Sequence, residues 1–369
     1  MHHLRHHALA WPFLNCSLRT VDAEPQVQED GKLNELPACP RGCNFTPDIA
    51  NMLLLRGIAA LTTFVVYATA HPAPYKQPFN WADTKYLIAF GDSYTYVQGT
   101  HGHQNYSFIG DAFDFSFNAS ELLSDRIVQN QTATAEGGPN WVEYITGCGL
   151  KPGLTNPRDC EKQLWDFAFA GSDISTEYTP LHHNFTVSLV NQTKQFELYA
   201  NPVLSKFVNP AESLVAIWIG INDIGDSDED EVDFPTFYNE LHETLFQSVQ
   251  GIYDLGYKNY LFMKLPPLNR TPPNLIRAAG PLPNATMIQW FDQALSNHSA
   301  AFHTEHPDTE VMVFDTTTFL NYVLDHPTEY GIKNTTDYCP SYDQPFINTD
   351  PEMYGCQPLD EYLYVFPYR

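Results

Sequence analysis

Five short apolar runs, each closed by glycine or polar residues, restrict this chain to few architectures. They fall at residues 86–90 (YLIAF), 167–170 (FAFA, after Leu164), 214–219 (LVAIWI), 260–265 (YLFMKL) and 311–314 (VMVF). Their apolar residues are mostly continuous rather than alternating, as expected of parallel strands covered on both faces. Helical patterns lie between them, at 140–146, at 194–207 (interrupted at Pro202), at 236–255 and at 287–303. Alternation of this kind predicts helices on both sides of a central, mostly parallel sheet. There is no internal repeat and no clean linker, so the region reads as one domain. With 43% hydrophobic and 14% aromatic residues in 369, the chain can build the core such a domain needs.

The formal charge of −25 excludes several partners. An acidic surface repels phosphate backbones and anionic headgroups, so neither nucleic acid nor stable membrane association is expected. A neutral polymer such as a polysaccharide remains compatible. Residues 52–70 (MLLLRGIAALTTFVVYATA) have the order of a signal peptide: Arg56, an apolar stretch over 57–67, then Ala68-Thr69-Ala70 as a small-x-small cleavage site. The apolar stretch is shorter than the roughly 20 residues that cross a bilayer. Residues 1–51, which precede that signal, are expected to be a non-native or disordered extension, and 71–369 the mature chain. The rival reading is a short cytoplasmic tail before a signal anchor. Nine N-x-S/T sequons follow, at Asn105, Asn118, Asn130, Asn184, Asn191, Asn269, Asn284, Asn297 and Asn334. The mature part also has four cysteines, Cys148, Cys160, Cys339 and Cys356. Both features point to a secreted, extracellular glycoprotein. Of the three possible connectivities, the sequence-local pairs Cys148–Cys160 and Cys339–Cys356 are favoured. No spacing resembles a zinc site, and no cofactor is implied.

In parallel sheets, ligands sit beyond the carboxyl ends of the strands. Gly91-Asp92-Ser93 follows the first run and would expose a serine nucleophile there, although Gly-Asp-Ser is also an ordinary turn. Gly171 follows the second and would let a backbone N–H approach a substrate closely; the alternative is a plain loop glycine. Gly220-Ile221-Asn222-Asp223 follows the third, and an Asn amide there is either an oxyanion donor or a helix cap.

Taken together and in this order, these three segments resemble the SGNH/GDSL hydrolases, whose blocks run GDS, Gly, G-x-N-D and D-x-x-H. Gly138-Pro139-Asn140-Trp141 and the overall spacing are most similar to fungal acetylesterases of carbohydrate esterase family 16. The resemblance covers about 82–365 and implies a flavodoxin-like, three-layer α/β/α sandwich around a five-stranded sheet. It makes Ser93 the nucleophile of an acetylesterase acting on carbohydrate, with Ser93 N–H, Gly171 N–H and the Asn222 side chain as the oxyanion hole. Asp92 would brace the turn.

The last block, which supplies the general base and its orienting carboxylate, has no match. After Cys356 the sequence reads QPLDEYLYVFPYR, with no His beyond His326. Leu324-Asp325-His326-Pro327-Thr328 echoes it, but the Asp is adjacent to the His. His101, His103, His182 and His183 read as surface histidines on loops. The expectation is therefore a severely impaired enzyme, with a misplaced exon boundary near residue 365 as the preferred cause and a natural pseudoenzyme that binds glycans as the alternative. A lipase or phospholipase on the same scaffold is a further alternative; no long apolar lid favours it. The acidic run 226–231 reads as a solvated loop, Trp218 as core and Trp141 as open to a sugar-stacking role. A monomer is expected.

Overall fold

The computed structural model describes residues 79–110, 116–135 and 137–364. The extension, the signal segment and the last five residues lie outside the described residues.

Among the described residues seven strands are formed: β1 (Tyr86–Gly91), β2 (Ile127–Gln129), β3 (Gly153–Thr155), β4 (Gln163–Asp166), β5 (Ser213–Trp218), β6 (Asn259–Met263) and β7 (Glu310–Phe314). Five make one sheet in the order β4-β1-β5-β6-β7, and every pairing in it is parallel. The antiparallel pair β2-β3 stands apart. Helices flank the sheet, giving the three-layer α/β/α sandwich of the SGNH hydrolases. Leu87, Ile88, Ala89 and Phe90 of β1 are fully buried, as a central strand covered on both faces requires.

Three helices pack in a row: the short Leu189–Gln195 against the long Phe234–Asp254, and that against the long Ala285–Glu305. The last two begin where their caps place them, Asp233 accepting from the Thr236 amide and Asn284 from the amides of Thr286 and Met287. The short helix Trp141–Thr146 packs instead on β1 and β4. Both favoured disulfides are present, Cys148–Cys160 and Cys339–Cys356.

Two elements differ from the sequence expectation. The second strand is Gln163–Asp166, four residues before the FAFA run. FAFA still follows β1, with the Phe167 and Phe169 amides donating to Ala89 and Gly91 at 2.7 and 3.0 Å. At Phe169, however, the chain swings across to bridge Ser107, and the strand ends. The helix expected at 194–207 begins earlier, at Leu189, and loosens into a wider turn over Phe196–Ala200 before Pro202.

Candidate active site

β1 ends at Gly91 and the chain turns at once. The Asp92 carbonyl accepts from the amides of Thr95 and Tyr96 at 3.0 and 3.1 Å, and its carboxylate accepts from Tyr94 N–H at 2.9 Å. Asp92 is fully buried and ties the turn from inside, the bracing role expected of it. Ser93 sits half-buried on that turn, and its Oγ makes no hydrogen bond with any described residue.

The second segment reaches the same edge. Gly171 has φ +79°, a left-handed conformation, and a Cβ there would lie 3.3 Å from His182 Cβ. Glycine meets both constraints without strain. The third segment comes from β5: Asn222 lies in the first turn of the helix Ile221–Asp226, and its Nδ2 donates to Ser172 O at 2.8 Å. The other Nδ2 hydrogen has no partner among the described residues. Its neighbour Asp223 is fully buried and accepts from Ile174 N–H at 2.9 and 3.2 Å; burial pushes its carboxyl up to about 7.

A residue that the sequence did not single out joins the first two segments. Gln192, fully buried on the helix Leu189–Gln195, accepts from Gly91 N–H through Oε1 at 3.0 Å. Its Nε2 has Gly91 O, Ser172 Oγ and Val187 O within reach at 2.8, 2.9 and 3.0 Å. Gly91 precedes Ser93 by two residues and Ser172 follows Gly171, so one amide sets the spacing of two of the three segments. The Asn222 side chain adds the third. The carboxyl edge of the sheet thus gathers the segments of Ser93, Gly171 and Asn222. An aromatic wall stands beside it: Tyr94 lies 5.0 Å from Trp218, and Trp218 6.3 Å from Trp141. Trp218 is core, as expected, with Nε1 donating to Lys264 O, whereas Trp141 is half-buried.

The histidines separate into distinct environments. His326 caps the end of the helix Thr316–Asp325, exposed and stacked on Tyr322. His101 reaches Ser124 Oγ, and His103 packs on Tyr106 and Phe185 beside His183. His182 is more than a surface histidine: its Nε2 lies 2.6 Å from Asp226. The Asp226 carboxylate raises its proton affinity, and Asp173 and Asp92 add to the effect. Asp226 is therefore engaged rather than part of a solvated run. Farther along that run, Ser227 is buried and donates to Asp223 O, and Glu229 pairs with Arg277.

Residues 87–358 match the family described as GDSL-like Lipase/Acylhydrolase. The chain is also 26% identical over 287 residues to an acetylesterase of Thermothelomyces thermophilus, covering 75% of this chain and 86% of that one. A second acetylesterase, from Hypocrea jecorina, is 26% identical over 175 residues, 46% of this chain and 43% of that one.

Proposed function

The chain belongs to the GDSL-like lipase/acylhydrolase family and is a hydrolase of the acetylesterase type, and on that premise we propose that Ser93 removes acetyl groups from carbohydrate. Ser93 Oγ would bond to the acyl carbon as the ester C–O bond breaks, its proton passing to the departing alcohol, and water would then cleave the acyl-serine to give acetate and restore the hydroxyl. The Ser93 and Gly171 amides and the free Nδ2 hydrogen of Asn222 would hold the oxyanion. The observation that carries this reading is the pair of side-chain bridges, Gln192 to Gly91 and Ser172, and Asn222 to Ser172, which bring the three segments to one edge. Carbohydrate as the alcohol is supported by the half-buried rings of Tyr94 and Trp141, packed on either side of the core Trp218, since aromatic faces suit the apolar faces of sugar rings.

We infer that turnover is slow. Ser93 Oγ has no base hydrogen-bonded to it among the described residues, and none of the described histidines has an Asp three positions before it. An unactivated serine is a weak nucleophile, and a site lacking its base keeps only about 10³–10⁴-fold over water from the oxyanion hole and binding. Secretion is supported by the two disulfides and by the nine sequon asparagines, none of them buried.

The test is hydrolysis of para-nitrophenyl acetate and of acetylated xylo-oligosaccharides by the parent, Ser93→Ala and Asn222→Ala. The parent should exceed buffer within that residual range, Ser93→Ala should fall to background, and Asn222→Ala should lose most of the parent's excess rate. Undiminished turnover by Ser93→Ala would remove Ser93 from the chemistry.

A further inference from the structure

Behind Gly171, three side chains from two segments converge. His182 Nε2 and an oxygen each of Asp173 and Asp226 all lie within 4.8 Å of one another. His182 and Asp226 are about one-third exposed, so the cluster opens to solvent on one side. Asp173 closes it from within. It is 1% exposed, and neither of its carboxylate oxygens has a hydrogen-bond partner of ordinary geometry. A buried carboxylate with both oxygens unpaired is costly, and native structures leave few such groups without an ion, a proton or a water. A second carboxylate beside it raises that cost. A cation among the three would remove it.

We propose that Asp173, His182 and Asp226 form a binding site for a divalent first-row cation such as zinc. The donor set is one imidazole nitrogen and two carboxylate oxygens, a mixture that suits zinc or manganese better than calcium, which takes oxygen alone. Ligand atoms around a tetrahedral zinc stand about 3.4 Å apart, at roughly 2.1 Å each from the metal. The widest spacing here, at most 4.8 Å, has to shrink by up to about 1.4 Å, and the 2.6 Å contact between His182 and Asp226 has to open by about 0.8 Å, shifts that side-chain rotation can supply. The remaining positions would go to water on the exposed side.

The placement gives such a cation a role. Asp173 follows Gly171 by two residues, and His182 packs against the space above the Gly171 Cα. Asp226 ends the short helix that begins with Ile221 and carries Asn222. A metal joining the three would fasten the loop of one proposed oxyanion donor to the helix of the other, a second tie beside Gln192's bridge to Gly91. This arrangement is independent of which ester the enzyme cleaves.

The experiment is zinc titration of the full chain, read by thermal unfolding and by bound zinc after dialysis. The parent is compared with Asp173→Asn, His182→Gln and Asp226→Asn. His2, His3, His6 and His7 can also take zinc, so the readout is the difference between parent and variant. At zinc a hundredfold above Kd the parent should unfold roughly 4 °C higher than in EDTA. Each variant should lose that rise and one bound equivalent. In EDTA, Asp173→Asn should unfold at or above the parent temperature, because it replaces a buried carboxyl that has to be protonated or carry an unpaired charge with a neutral group of the same shape. The assignment is overturned if His182→Gln and Asp226→Asn keep the parent's rise and stoichiometry. It is equally overturned if Asp173→Asn unfolds well below the parent in EDTA, which would mean that Asp173 already has the partner it needs.

Discussion

Replacing Gln192 tests whether one buried amide sets the distance between Ser93 and Gly171. Four groups contact it, and a count of lost hydrogen bonds at about 1 kcal/mol each would put Gln192→Leu near 4 kcal/mol. The partners say otherwise. Gly91 O keeps the Phe169 amide at 3.0 Å, and Ser172 Oγ and Val187 O keep each other at 2.9 Å. Only Gly91 N–H loses its partner in a site with no exposure, and one orphaned buried donor costs about 1–3 kcal/mol. Gln192→Leu should therefore destabilise by about 2 kcal/mol in urea at an unchanged m-value, while esterase turnover falls through the loosened Ser93 turn. Gln192→Glu should behave differently. One carboxylate oxygen can accept from Gly91 N–H, but the other faces the carbonyls of Gly91 and Val187, so an ionised Glu is an unpaired buried charge worth about 3–5 kcal/mol. Such a Glu would have its folded pKa raised, so the loss should be full at high pH and recover as the pH falls and the acid protonates. The reasoning fails if Gln192→Leu costs less than about 0.5 kcal/mol, within the range of ordinary surface changes. It fails also if the Glu and Leu variants are equally stable at pH 8.

Other outcomes follow from single contacts. Replacing Cys148 and Cys160 by Ser opens a crosslink 12 residues long and should cost about 3 kcal/mol, measured against the oxidised parent by urea unfolding. Gly220→Ala should cost about 3 kcal/mol or more and lower soluble yield, because its φ is +117° and the added Cβ would meet Phe291 Cζ at 2.1 Å. Asp292, raised to about 6 by burial, favours the folded state when protonated, so its contribution is complete below about pH 4 and lost as the pH rises through 6. Asp292→Asn can still accept from Leu265 N–H, and its amide can donate to Thr317; the slope of stability over pH 4–6 should therefore flatten, by about 3 kcal/mol across that range. His242, lowered to about 4 by burial, works in the opposite sense: the folded state needs it neutral, and the stability this gives above pH 6.5 is lost as the pH falls toward 4. His242→Leu should therefore shift the pH of maximum stability downward.

The sheet was legible because burial on both faces writes continuous apolar runs, and four of the five runs fall on strands almost residue for residue. The exception is informative. Phe167, Ala168 and Phe169 are as buried as strand residues and stay hydrogen-bonded to β1, yet they lie outside the strand because the chain turns toward Ser107. Hydrophobicity reports burial, and where burial outlasts the ladder it overshoots the strand. The start of the helix at Leu189 was missed for a related reason: its buried face carries Gln192, Thr193 and Gln195, polar residues that break the apolar period.

The site was legible where its chemistry follows a strand end, and invisible where it depends on partners far along the chain. Ser93 and Asn222 stand just past a strand and Gly171 just past a buried apolar run, and their order together, with the family resemblance, selected them. Gln192 had no such marker, since its partners at Gly91 lie 101 residues away and one Gln on a helix resembles any other. The acidic run misled in the same way. Six consecutive polar residues read as a solvated loop, but the run begins on the last residue of the helix that carries Asn222, and that placement turns Asp226 toward His182 while Ser227 points inward to Asp223 and Glu229 pairs with Arg277. A run of like charge has one composition and several environments, and only the contact with His182 and Asp173 separates the member that faces a buried carboxylate from those that face solvent. The segments that carry Ser93, Gly171 and Asn222 are therefore joined by contacts outside every recognisable motif: Gln192 to Gly91 and Ser172, Asn222 to Ser172, and His182 to Asp226.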